Sequence, residues 1–308
     1  MKRRYKLTAL ALALLLLLPL VTACKNEDAY KGEGYTFTDS TGRAVTLPEK
    51  PQRVAVLFSS LADIWIAAGG TVTMTVEESV ERGLVASGVT ILAAGAGKAV
   101  DAEAVIAAAP DLVLFSADVA GHITCAELVR LAGIPTALLR VESFSDYLTA
   151  LKIFTDINER PDLYESAGLA QKERIDEMIA EQPLVGKRIL FARATATTVK
   201  AKSSDDHFAA AMLRELGAQN IADSAPLLLD GLNVETVLAE DPDYLFFSAM
   251  GSEEAAAAAV DELLSGQIWG SLNAVKGNRY ALLPRDTFHY KPNTKWADAY
   301  AYLIELLK

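Results

Sequence analysis

Cysteine is nearly absent. Cys24 and Cys125 are the only two in 308 residues, too few for the disulfide framework that holds many small exported domains together. Histidine is almost as scarce, with three residues, and neither HExxH nor CxxC spacing occurs, which leaves no dedicated site for a bare metal ion. There is no G-x-S-x-G elbow and no Walker loop. The glycines of Ala94-Gly95-Ala96-Gly97 lack the strand-to-helix setting of a dinucleotide fingerprint and read as a turn. These absences count against an enzyme and against a resident cofactor. Basic residues are outnumbered, 29 against 40 acidic, so nucleic acid, whose phosphates demand a basic face, is excluded as a partner. Beyond Cys24 no apolar run approaches the ~20 residues of a membrane-spanning helix.

What is present begins with Lys2, Arg3, Arg4 and Lys6, followed by an apolar run from Leu7 to Val21. In charge and length this is a signal peptide over residues 1–23. It closes on Leu20-Val21-Thr22-Ala23-Cys24, which resembles the lipobox read by lipoprotein-processing enzymes. Cys24 is then expected to become a diacylated N-terminus that anchors the chain at the extracytoplasmic face of the cell membrane, with polar residues 24–34 as a tether. Lipidation of Cys24 would leave Cys125 without a partner. Removing the leader leaves 25 basic against 40 acidic residues, a charge of about −15, which speaks for solubility and little else.

From Arg53 onward, short apolar or β-branched runs alternate with amphipathic stretches: Val54 to Phe58, Val72 to Val76, Leu112 to Phe115 and Thr136 to Leu139. The rhythm restarts at Arg188 to Ala192 and continues through Val199 to Ala201, Tyr244 to Phe247 and Tyr280 to Leu283. Such alternation predicts parallel strands with crossover helices. The economical reading is two α/β lobes, residues 35–142 and 183–308. Between them, residues 143–182 hold apolar residues at helical spacing and predict a helical connector, broken near Glu159-Arg160-Pro161 because proline is not tolerated inside a helix ladder. A rigid connector predicts limited hinge closure.

Several segments carry a family likeness. Tyr35 to Arg43 with Leu47-Pro48 and Pro51-Gln52-Arg53-Val54 resembles the opening of the helical-backbone substrate-binding proteins that serve iron-complex, haem and cobalamin importers. Ala109 to Leu114 resembles their "KPDLV" strand, and Ala132-Gly133-Ile134-Pro135 their "AGIP" turn. Met212 to Gly217, Asn220 to Asp223 and Glu240 to Asp243 follow in the family's order. The resemblance implies two Rossmann-like lobes joined by one long connecting helix, with the ligand in the cleft between them and an ABC permease dimer as partner. It further implies a monomeric binding protein rather than an enzyme.

In open α/β lobes ligands sit beyond the carboxyl ends of the strands. The candidates there are Ser59 and Ser60, the segment Ser116 to His122, Arg193, Met250, and the segment Arg285 to Lys291 with His289 and Tyr290. Arg193 directly follows a strand, where its guanidinium suits a ligand carboxylate or pairs with a structural Asp; Lys202 is a second cation. His122 would face His289 across the cleft. Imidazole and phenolate are both iron-ligand chemistry, yet adjacent residues of an extended loop point apart, so His289 and Tyr290 should not reach one metal face together. His207 reads as a surface residue. For permease docking, the resemblance points to one acid per lobe, Asp63 and Glu235, with Glu usual at the first position. Both also read as helix-start acids, Ser60 and Asp63 as a capping-box variant. The sequence therefore predicts capture of an iron complex, siderophore or haem. Cobalamin or another corrinoid is the alternative ligand, and a ligand sensor without a permease the alternative role.

Overall fold

The computed structural model describes residues 34–86 and 88–307. The expected signal peptide, Cys24 and nearly all of the tether lie outside them. The described chain opens with an antiparallel hairpin, β1 (Tyr35–Thr38) and β2 (Ala44–Leu47). Its alternating pattern buries Tyr35, Phe37, Val45 and Leu47, the period-2 signature of a strand pair with one covered face. The turn is built by Asp39, whose Oδ1 accepts from the Thr41 and Arg43 backbone N–H groups at 2.9 and 3.2 Å. Gly42 supplies the left-handed residue, φ 83°. The second oxygen of Asp39 accepts from the Leu138 N–H at 3.1 Å and sews the hairpin onto the first lobe.

That lobe is a five-stranded sheet of β3 (Val54–Val56), β4 (Met74–Val76), β5 (Thr90–Ala93), β6 (Leu112–Ser116) and β7 (Thr136–Leu139) in the order β5-β4-β3-β6-β7. All neighbours run parallel. Strands β3, β6 and β7 are buried on both faces, as expected where crossover helices cover a parallel sheet. The second lobe holds β8 (Arg188–Ala194), β9 (Val199–Ala201), β10 (Gln219–Asn220), β11 (Tyr244–Ala249) and β12 (Tyr280–Leu283), with β10-β8-β11-β12 parallel. One strand departs from the expected rhythm. β9 is antiparallel to β8, because the Thr195 N–H bonds the Thr198 carbonyl at 2.8 Å and reverses the chain in a tight turn rather than through a helix. The hairpin, β5 and β10 are strands that the hydrophobic runs did not announce.

The connector starts on a capping box: the Ser143 side chain accepts from the Asp146 N–H, and the Asp146 carboxylate accepts from the Ser143 N–H. Its first helix, Phe144–Asn158, stops at Glu159 in the left-handed conformation, φ 59°. Pro161 restarts helical structure, which runs through a π turn at Glu165–Leu169 into the helix Ala170–Ala180. The first helix packs on the first lobe through Tyr147, Leu151 and Phe154; the second packs against the C-terminal helix Trp296–Glu305. One buried cluster runs from Val54 and Leu112 through Phe154 to Phe191, Phe208 and Trp296, so the lobes share a core and do not hang on a flexible linker. No helix among the described residues is long and apolar enough to cross a membrane.

Candidate functional site

The first-lobe candidates are consumed in building the wall. Ser59 is buried in the first turn of the helix Ser59–Ala67, where its hydroxyl donates to Glu78 Oε2 at 2.5 Å and accepts from Arg82 Nη1 at 3.0 Å. Ser60 is buried beside it, and its carbonyl accepts from Asn293 Nδ2. Phe58 is the N-cap and no side chain caps this helix, so the capping-box reading of Ser60 and Asp63 does not hold. Ser116 Oγ accepts from the Asp118 N–H. His122 is fully buried, and both ring nitrogens are engaged: Nδ1 accepts from the Ser116 N–H at 3.0 Å, which leaves Nε2 to donate to the Gly97 carbonyl at 2.6 Å. Burial pushes its pKa down against that last bond. His122 orders the strand-end loops and does not face His289 across the cleft.

The second-lobe candidates converge. Arg193 lies on β8 opposite Ser248 of β11 and continues the face of Ile189 and Phe191. Behind it sits His207, which is buried and not at the surface as its polarity suggested. Its Nδ1 accepts from the Ala209 N–H and caps the helix Phe208–Glu215, its Nε2 lies 3.2 Å from Ser248 Oγ, and its ring packs against Phe191 and Phe208 with centroids at 4.5 and 5.0 Å. Burial holds His207 well below the ordinary imidazole range, and Arg193, Lys291, Lys202 and His289 each push the same way.

His289 and Tyr290 do not diverge. Arg285–Phe288 is a helical turn and His289 keeps helical dihedrals, so consecutive side chains are separated by about 100° rather than 180°. The two rings meet edge to face at 5.0 Å. Burial, then Arg285 and Arg193, lowers the His289 pKa and favours neutral imidazole. The Tyr290 ring carries the Arg82 guanidinium at 4.1 Å and that of Arg285 at 4.9 Å, and burial raises its phenol pKa. Met250 is 40 % exposed.

Charge pairing across the cleft is uneven. Glu142 accepts from Lys291 Nζ at 2.6 Å, Asp118 pairs with Arg140 at 2.7 Å, and Glu78 is taken by Ser59. Once those acids are committed, the Nε atoms of Arg193 and Arg285 remain buried with no hydrogen-bond partner among the described residues. Burial lowers the Arg193 pKa while Glu142 opposes it; the group stays a cation. Buried guanidinium N–H groups are normally satisfied, and these two have no acceptor among the described residues. A cavity of about 560 Å³ elsewhere in the second lobe, lined by Thr197, Leu232, Leu263 and Trp269, contains none of these cations.

Residues 54–287 match the sequence profile of a family described as periplasmic binding protein. The chain belongs to that family. Its fold is shared with solved structures at low identity. The petrobactin-binding protein YclQ of Bacillus subtilis is 16 % identical, with 89 % of this chain and 97 % of that one covered and a TM-score of 0.71. SirA of Staphylococcus aureus, complexed with staphyloferrin B, is 16 % identical over 88 % and 96 %, TM-score 0.64. IsdE of Staphylococcus aureus, complexed with haem, is 13 % identical over 82 % and 98 %, TM-score 0.66. No curated protein sequence matches the chain closely enough to serve as a relative.

For a periplasmic binding protein the seam between the lobes matters as much as the cleft, and the sequence did not signal it. Asn293 is fully buried in a left-handed conformation, φ 50°. Its Nδ2 donates to Asp63 Oδ2 at 2.8 Å and its carbonyl accepts from Gln171 of the connector. Arg82 also lies 3.6 Å from Asp63. Asp63 is thus engaged within the molecule, whereas Glu235 stands exposed in the first turn of Val234–Glu240.

Proposed function

We propose that this periplasmic binding protein is the lipid-anchored, extracytoplasmic binding subunit of an ABC importer, and that it captures an anionic iron complex, a siderophore or haem, and delivers it to the permease. The observation that carries the reading is that the Nε atoms of Arg193 and Arg285 are buried with no hydrogen-bond partner among the described residues, while Glu142 and Asp118 are paired with Lys291 and Arg140. A guanidinium fork matches a carboxylate in geometry and charge, and carboxylates are what haem and carboxylate siderophores present. The neutral imidazole of His289 beside Tyr290 adds ligand chemistry suited to iron. Anchoring would rest on Cys24, and incorporation of a labelled acyl chain at that residue checks it.

The test is a titration of the purified mature protein with haem, ferric carboxylate siderophores, ferric catecholate siderophores and cobalamin, followed by absorbance and tryptophan fluorescence. Saturable binding of one anionic iron complex is expected, with cobalamin inert. Binding of cobalamin alone, or of none of the panel, would overturn the assignment.

A further inference from the structure

Glu142 spends its charge on the opposite lobe. The residue follows β7 in the first lobe, and its backbone N–H donates to Asp146 Oδ2 at 2.9 Å at the start of the connector. The main chain is fixed there, and only the side chain is left to move. Its carboxylate accepts from Lys291 Nζ of the second lobe, 149 residues away, at 2.6 Å. The neighbouring acid Asp118 pairs within the first lobe, with Arg140 at 2.7 Å. The two ends of the Glu142 pair are unequal. The Lys291 side chain is 13 % exposed and its ammonium lies over the Phe208 ring at 4.5 Å, whereas the Glu142 side chain is 50 % exposed. A buried ammonium left without an anion is costly, so Lys291 requires one. A half-exposed carboxylate on a flexible stem is held weakly, so it can be exchanged. Glu142 also favours the charge on Arg193, which burial disfavours. It therefore stands among the second lobe's cations, and because half of its side chain meets solvent, that position is reached without unpacking either lobe.

We infer that Glu142 is an intramolecular competitor of the ligand: the anionic group of an incoming iron complex displaces its carboxylate from Lys291. This rests on the reading of the cleft as the site of an anionic iron complex, and it adds a residue that sets affinity and selectivity there. Affinity is reduced by the fraction of molecules in which Glu142 holds Lys291. Selectivity follows because a neutral molecule cannot replace the carboxylate without leaving the buried ammonium unpaired.

Isothermal titration calorimetry of the mature protein with haem, ferric citrate and a ferric tris-catecholate siderophore tests this on wild type, Glu142→Gln and Glu142→Asp. Gln removes the competing charge; Asp keeps the charge and withdraws it by one methylene. Whichever complex binds wild type should bind Glu142→Gln at least about threefold tighter, with Glu142→Asp between the two. The ligand-free melting temperature of Glu142→Gln should fall, because Lys291 loses its partner. Affinity that rises while ligand-free stability falls separates competition from a general loosening of the lobes. If wild type binds and Glu142→Gln binds no tighter, the inference fails alone and the pair is only a tie between the lobes. If Glu142→Asp matches wild type while Glu142→Gln tightens, the effect is long-range charge and the inference fails as well. No binding by wild type or either variant sinks the transport reading and the inference together.

Discussion

Arg193 joins two properties seldom found together in one side chain: it is largely withdrawn from water and one of its N–H groups has no acceptor among the described residues. In a structural ion pair, removing the cation strands a buried acid and lowers stability. Here the nearest opposing charge, Glu142, already has Lys291, so nothing is stranded. Arg193→Ala is therefore expected to weaken binding of the cleft ligand by more than about tenfold, because a charge-assisted bond contributes roughly 1.5 to 3 kcal/mol and about 1.4 kcal/mol is tenfold in affinity. The melting temperature of the apo protein should not fall. Calorimetric binding and thermal unfolding on the same variant decide; lost stability with retained affinity would make Arg193 structural. The position of Arg193 at a strand end was readable from the run Arg188 to Ala192. That its partners were already spoken for was not, since Glu142 and Lys291 lie 149 residues apart.

At the scale of elements, the helix Phe208–Glu215 shows how one buried side chain supports a cleft wall. His207 caps it with Nδ1, a role usually taken by Ser, Thr, Asp or Asn, and reaches Ser248 of β11 with Nε2. Both contacts suit neutral imidazole. Its folded pKa lies below the unfolded value near 6.5, so the unfolded chain takes up the proton first. The contribution of His207 to stability is complete above about pH 6.5 and is lost as pH falls toward the folded value. His122 and His289 are shifted in the same direction. The melting temperature should thus decline from pH 7.5 to pH 5. His207→Asn keeps a capping side chain but removes the titrating ring; it should cost about 1–2 kcal/mol at neutral pH through lost packing and flatten that decline. A wild-type melting temperature independent of pH across this window would refute the argument.

At the scale of the whole molecule, the lobes are tied by contacts that flank the cleft: Asn293 to Asp63, Arg82 over Tyr290, and Lys291 to Glu142. Together with the shared core they resist a wide hinge motion. They also divide the two acids proposed for permease docking. Reversing Asp63 would break the seam and confound binding with docking. Glu235 is exposed and makes no such tie, so Glu235→Arg is expected to leave ligand affinity within about twofold while cutting uptake by more than about tenfold, because like charges would then oppose at the permease surface. Uptake at the wild-type rate would reduce Glu235 to a helix-start acid favoured by the dipole.

The sequence by itself determined the fold class, two rounds of strand and helix, and the break at Glu159-Arg160-Pro161. It also located the loops that frame the cleft. Those features follow from local physics: side-chain period, proline's missing N–H, and the position of a residue after a strand. Tertiary structure decided which candidates have their polar atoms claimed by other residues of the chain. Ser59, Ser60 and His122 turned inward because partners from distant segments claimed their polar atoms. His207 was buried by Phe191 and Phe208, and a single helical turn brought His289 and Tyr290 together. A pattern along the chain reports which face a side chain occupies. Whether its charge is already neutralised depends on distances of a few ångströms between residues as far apart as Asp63 and Asn293, 230 positions from each other, and only the packed lobes set those distances.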